Sequence, residues 1–242
     1  MKLAILAAAA GLLLTTSVNA TIITVFDSIP SGSASFDNTV QAAGGDLYTD
    51  VWTSISSGTT LVRPGYTVTR NNGGSIYANS YGSMSGQTID ISPDYNGNGS
   101  TGTIVSGVTF LFDEAINSFG FEVGDWATCC FGPTTDLYIS FDDGAPILVA
   151  SAGQESDGMF PGADGYDVFE IFVAAFDDSA SFSKVQFWGN GSGEYLVIGG
   201  QIKYGLVDIG SLPPETVPAP ASFALISLGL LGLGIRRRKQ QK

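Results

Sequence analysis

Histidine is absent from all 242 residues, which removes imidazole bases, Ser-His and Cys-His nucleophile pairs and His-ligated zinc. Basic residues are nearly as scarce in the body of the chain. Residues 21–217 hold all 23 Asp and Glu against only Arg63, Arg70, Lys184 and Lys203, a local net charge of −19, while the whole chain carries −13. Such a body repels phosphate backbones, which argues against nucleic acid as a partner. It suits solubility outside the cell and weak binding of divalent cations. Charged residues make up 14% of the chain and hydrophobic ones 44%. Disordered chains lack that apolar content, so a folded core is expected. The length points to one domain or two.

The two ends differ from the body. Lys2 begins the chain, an Ala- and Leu-rich apolar run follows from Leu3 to Leu14, and Val18-Asn19-Ala20 is a small-x-small cleavage site. Residues 1–20 therefore read as a secretory signal peptide. The alternative, an N-terminal membrane anchor, has to contend with a short apolar run. At the other end, residues 211–220 form a Pro-rich linker that holds neither a helix nor a ladder. Residues 221–242 follow as a single apolar helix, Ala221 to Ile235, closed by Arg236-Arg237-Arg238-Lys239. Fifteen apolar or small residues fall below the ~20 usually needed to span a bilayer. The basic cluster would stay cytoplasmic and leave the acidic body outside.

Val217-Pro218-Ala219-Pro220-Ala221-Ser222, the apolar run to Ile235 and the Arg cluster together resemble a PEP-CTERM sorting signal. That family has a Pro-Glu-Pro-like motif, a short membrane helix and a basic end in this order. Here Ala219 stands where Glu is usual. On this resemblance Pro218, Ala219, Pro220, Arg236, Arg237 and Arg238 are the sorting and processing residues. It implies export machinery and an exosortase-type protease as partners, with transient inner-membrane insertion through the C-terminal helix. The destination it implies is the cell surface or extracellular matrix of a Gram-negative bacterium.

Between the ends, in residues 21–210, no helix-period stretch of useful length occurs. Short alternating runs recur between Gly, Asn, Asp, Ser and Pro clusters. The expected strands are 21–26, 60–69, 87–91, 103–112, 116–124, 136–141, 146–150, 167–174, 181–188 and 194–206. Val108, Phe110 and Phe112 share one face; Phe119, Phe121 and Val123 alternate with Gly120, Glu122 and Gly124. This pattern predicts an all-β body, an antiparallel β-sandwich or jelly roll. Residues 71–102 read as long loops around one short strand. The segment from Ser106 to Asp125 also resembles the lectin-like, carbohydrate-binding jelly-roll bodies of many PEP-CTERM proteins, a match of core pattern that speaks to fold more than to activity.

Four features are candidates for chemistry. Cys129 and Cys130 are adjacent, with Cα atoms about 3.8 Å apart, so a bridge between them would be a strained vicinal disulfide. A loop with two buried thiols, or a merely structural bridge, is the alternative. Trp126 and Phe131 flank the pair and form either an exposed apolar contact for a ligand or an inward cap on the sandwich end. Asp94, Asn96 and Asn98 match the first half of a Ca²⁺ loop, but Val105 stands where the loop's closing Glu belongs, and an Asn-Gly turn is the plainer reading. Acidic turns at Asp142-Asp143, Asp157, Asp164, Asp167 and Asp177-Asp178 read as solvated turn acids. The aromatics open to exposure are Trp52, Tyr77, Tyr81, Tyr95, Trp126, Trp188 and Tyr195.

Two function classes emerge. One is a non-catalytic exported surface or matrix protein, of exopolysaccharide or biofilm, in a form that binds carbohydrate and holds structural Ca²⁺. The alternative is a secreted carboxylate-dependent polysaccharide hydrolase. Two carboxylates on different strands, about 5–9.5 Å apart and facing one groove, are what that alternative requires.

Overall fold

The alternation of Phe119, Phe121 and Val123 with smaller or polar residues becomes a strand whose three apolar side chains are fully buried on its inner face. A computed structural model describes residues 21–91, 107–128, 135–161, 167–189 and 196–212. Strand β1 (Ile22–Phe26) leads into helix α1 (Ile29–Ala42), then β2 (Asp46–Val51), β3 (Thr60–Arg63), β4 (Tyr66–Arg70), β5 (Ala78–Asn79) and β6 (Thr88–Ile91). After these come β7 (Val108–Ile116), β8 (Ser118–Gly124), β9 (Thr135–Phe141), β10 (Ile147–Ala152), β11 (Phe160–Pro161) and β12 (Asp167–Val168). The last three are β13 (Glu170–Phe176), β14 (Phe182–Gly189) and β15 (Leu196–Leu206).

These strands form two antiparallel sheets and a short β11–β12 ribbon. The first runs β1-β13-β8-β15-β6-β5, with β2 paired to β15 beyond β6; the second runs β10-β9-β14-β7-β4-β3. Aromatic contacts join their inner faces: Phe110 meets Phe119 with ring centroids 5.1 Å apart, and Phe121 meets Phe187 at 4.9 Å. Edge-to-face pairs like these add to what area burial alone contributes. A mostly β body of two antiparallel sheets is thus observed. The expected strand at 60–69 is a hairpin, β3 against β4, because Pro64 and Gly65 (φ +85°) reverse the chain between Arg63 and Tyr66.

Helix α1 departs from the expectation that the body holds no helix. Its sequence, IPSGSASFDNTVQA, is poor in strong helix formers, and only Ile29, Phe36 and Val40 are large buried side chains. What defines it is its ends and its packing. Ser28 caps the start by accepting from the Ser31 N–H. Gly44 (φ +72°) and Gly45 close it in a Schellman motif, donating to the carbonyls of Gln41 and Val40. The helix lies on the outer face of the first sheet, where Phe36 stacks on Phe176 at 5.0 Å. Gly120 makes room, since a Cβ there would sit 2.8 Å from the Phe172 ring. Strands β8 and β13 are therefore buried on both faces. Among the described residues, no helix is long and apolar enough to cross a membrane. Residues 1–20, expected as a signal peptide, the sorting motif expected in the linker, and residues 221–242, expected as an apolar helix, lie outside the described residues.

Candidate functional site

One end of the sandwich opens into a cleft of about 320 Å³. It is built by register and by a bulge. Pairing of β15 with β2 sets Tyr204 opposite Tyr48 and Leu206 opposite Asp46, so these four share one face. The Tyr48 and Tyr204 rings stack at 5.3 Å with an interplanar angle of 15°, and Tyr48 stays 56% exposed. The opposite wall comes from β7. Lys184 of β14 pairs with Leu111 and Phe182 with Ile116, so residues 112–115 of β7 stand opposite Ser183 alone. Such bulges bend a strand and re-aim its side chains. This one turns Asp113 and Glu114 into the cleft wall, and the Asp113 N–H is held by the Gly65 carbonyl at 3.0 Å.

A polar knot holds the two walls together. Asp50 of β2 accepts from Arg63 of β3, 2.8 Å at Nε and 2.5 Å at Nη2, and from the Tyr66 hydroxyl at 2.6 Å. That hydroxyl accepts in turn from the Trp52 indole N–H at 2.7 Å. Burial works to raise the Asp50 pKa, but the hydrogen bonds from Arg63 and Tyr66 and the Arg63 charge outweigh it and hold the carboxyl below its ordinary range. Burial and the Asp50 carboxylate push the Tyr66 hydroxyl well above the usual phenol range. Tyr204 donates to the Pro64 carbonyl at 2.9 Å; burial, then the nearby Asp50, Tyr48 and Asp113 charges, raises its pKa.

The first sheet also carries two buried carboxylates, Glu122 on β8 and Glu170 on β13. Glu122 pairs with Phe172 and Glu170 with Gly124, so they are diagonal neighbours on the outer face. The loop between β5 and β6 straps over them. Ser85 gives Glu122 its N–H at 2.8 Å and its hydroxyl at 2.5 Å. Ser83 gives Glu170 its N–H at 2.7 Å and its hydroxyl as well. Between the serines, Met84 packs with Ile29 and Val197. Burial, partly offset by the Ser85 hydrogen bonds, pushes the Glu122 pKa up to about 7. The oxygens that a hydrolase would aim at a glycosidic bond are here acceptors for a loop.

The residues singled out in the sequence fall in several places. Trp126, expected as an exposed contact in one reading, is 3% exposed, with its indole N–H unpartnered among the described residues. The inward alternative holds for it, because Trp126 packs into the main core while Asp125 and Ala127 take up the turn at φ +59° and +63°. Cys129, Cys130 and Phe131 lie outside the described residues, as do Asp94, Asn96 and Asn98. Trp52 and Trp188 are buried and Tyr77 is exposed; Tyr95 and Tyr195 are not among the described residues. Of the turn acids, Asp142 accepts from the N–H groups of Ser183 and Lys184 on the neighbouring strand β14, and Asp177 from those of Ser179 and Ala180 in its own turn.

The cleft residues Asp46, Tyr48, Asp113, Glu114 and Tyr204 were not singled out by sequence reasoning. The available signal was the Asp113-Glu114-Ala115 step between two apolar runs, where a bulge interrupts the alternation.

Residues 216–239 match the PEP-CTERM protein-sorting motif. No curated protein matches the chain. Among solved structures, a mutant of a family 29 carbohydrate-binding module, made to probe ligand recognition, is similar at 12% identity and a TM-score of 0.35. The match covers 71% of this chain and 99% of that one, and a likeness at this level decides nothing about a ligand.

Proposed function

We propose that the chain is an exported, non-catalytic surface or extracellular-matrix protein that is sorted by an exosortase and holds a glycan in its end cleft. The observation that carries the surface placement is the sorting motif at 216–239. In this reading residues 1–20 are removed on export and 21–210 are the mature body. Residues 211–220 present Pro218-Ala219-Pro220 to the protease, and 221–242 insert only transiently in the inner membrane. The glycan reading rests on the chain's own geometry. The exposed, flat Tyr48 ring backed by Tyr204 offers an apolar surface to a sugar ring, with carboxylates beside it as hydroxyl acceptors. The non-catalytic reading is supported by Glu122 and Glu170, whose oxygens are occupied by Ser83 and Ser85. Mass spectrometry of the protein in its host's surface fraction tests the sorting. A C-terminus upstream of Arg236 supports processing, and an intact Lys242 in that fraction contradicts it.

A further inference from the structure

We propose that the end cleft selects an amino sugar, a short run of glucosamine units carrying free, protonated amines. This rests on the glycan reading above and names the ligand class for the same cleft. Three carboxylates line it, those of Asp46, Asp113 and Glu114. None of them has an ion pair among the described residues. The body's four cations are engaged elsewhere: Arg63 with Asp50, Lys184 with Asp143, Lys203 with Asp37, and Arg70 with the Ser75 carbonyl. Among the described residues the cleft is therefore a concave, acid-lined surface with no counter-charge, in a body that is itself strongly acidic, and such a surface focuses a negative potential. An anionic glycan is repelled by it. A neutral glycan leaves its charge uncompensated. A protonated amino sugar meets both features at once, with its ring face on Tyr48 and its amine against Asp113 and Glu114. The aromatic ring adds attraction for a nearby ammonium group.

The test is calorimetric titration of the full chain, in mildly acidic buffer, with tetramers of glucosamine, N-acetylglucosamine, glucose and glucuronate. EDTA is present in one series and absent in the other. The expected result is binding of the glucosamine tetramer at least about tenfold tighter than of the N-acetylated one, unchanged by EDTA. Tyr48→Ala removes the platform without changing charge and should weaken that binding about tenfold. Asp113→Asn should weaken it about three- to fivefold, and Glu155→Gln, an acid outside the cleft, should leave it unchanged. Equal binding of the glucose or N-acetylated tetramer overturns the amino-sugar claim and leaves the glycan reading standing. No binding of any tetramer overturns both. Binding abolished by EDTA makes the carboxylates metal ligands, and full affinity in Tyr48→Ala moves the site elsewhere; either result overturns the proposal.

Discussion

Ser85 and Glu122 lie 37 residues apart in sequence, yet both the N–H and the hydroxyl of Ser85 donate to the two oxygens of the one carboxylate. The pair pins a loop to the outer face of the first sheet at a strand position that is fully buried. The space for the carboxylate comes from a bulge in β15. Gly199 and Gly200 interrupt its register with β8, and a Cβ on Gly200 would lie 2.1 Å from Glu122 Oε2.

The raised Glu122 pKa makes stability depend on pH in a defined direction. The folded carboxyl holds its proton up to about pH 7, whereas the unfolded one releases it near 4.5. Its contribution is fully present below about 4.5 and is lost as pH rises to about 7, on the order of 3 kcal/mol in all. Glu170 on β13 adds a raising charge and Lys203 on β15 a lowering one. Asp50 acts in the opposite sense: its lowered pKa adds stability above about pH 4 that is lost on acidification. Melting temperatures across pH 4–8 should fall towards neutral in the wild type and flatten between about 5 and 7 in Glu122→Gln. An unchanged slope in the variant contradicts this.

Gly200→Ala should destabilise by about 2–4 kcal/mol, because alanine at φ +61° is strained and its methyl meets the Glu122 carboxylate. Gly73→Ala is the control. It has a similar φ of +72° but nothing within 4 Å, so only the backbone cost of about 1 kcal/mol remains. Urea unfolding of the two variants should separate them, and equal losses would remove the role given to the carboxylate.

Tyr66→Phe should cost about 2–3 kcal/mol although it deletes a single oxygen. The change leaves the Trp52 N–H without its acceptor in a fully buried site and takes one donor from Asp50. Chemical denaturation measures the loss, and a near-neutral variant would mean the knot does not hold the cleft walls.

Much of this architecture was legible in the sequence. Period two in Val108-Phe110-Phe112 and Phe119-Phe121-Val123 marked strands whose inner faces are the core. Helix α1 was not legible, because Gly32, Ser33 and Ser35 dilute its period, and what it packs against, Phe172 and Phe176 on β13, lies far along the chain. Strand β2 was hidden for a related reason. Asp46, Tyr48 and Asp50 lie on the cleft face instead of an apolar face, so Asp46–Val51 shows no clean alternation. The cleft itself combines four distant segments, around residues 46–48, 65, 112–116 and 204–206, and a single-residue register decides which way each side chain faces.

Nuclear magnetic resonance mapping tests the central claim, that the end cleft is where this surface protein meets its glycan. On titration with the glucosamine tetramer, amide shift changes should cluster at residues 46–48, 112–115 and 204–206, the cleft walls. Changes confined to the outer face of the second sheet, around the stacked Tyr138 and Trp188, would contradict it, as would a spectrum that does not change.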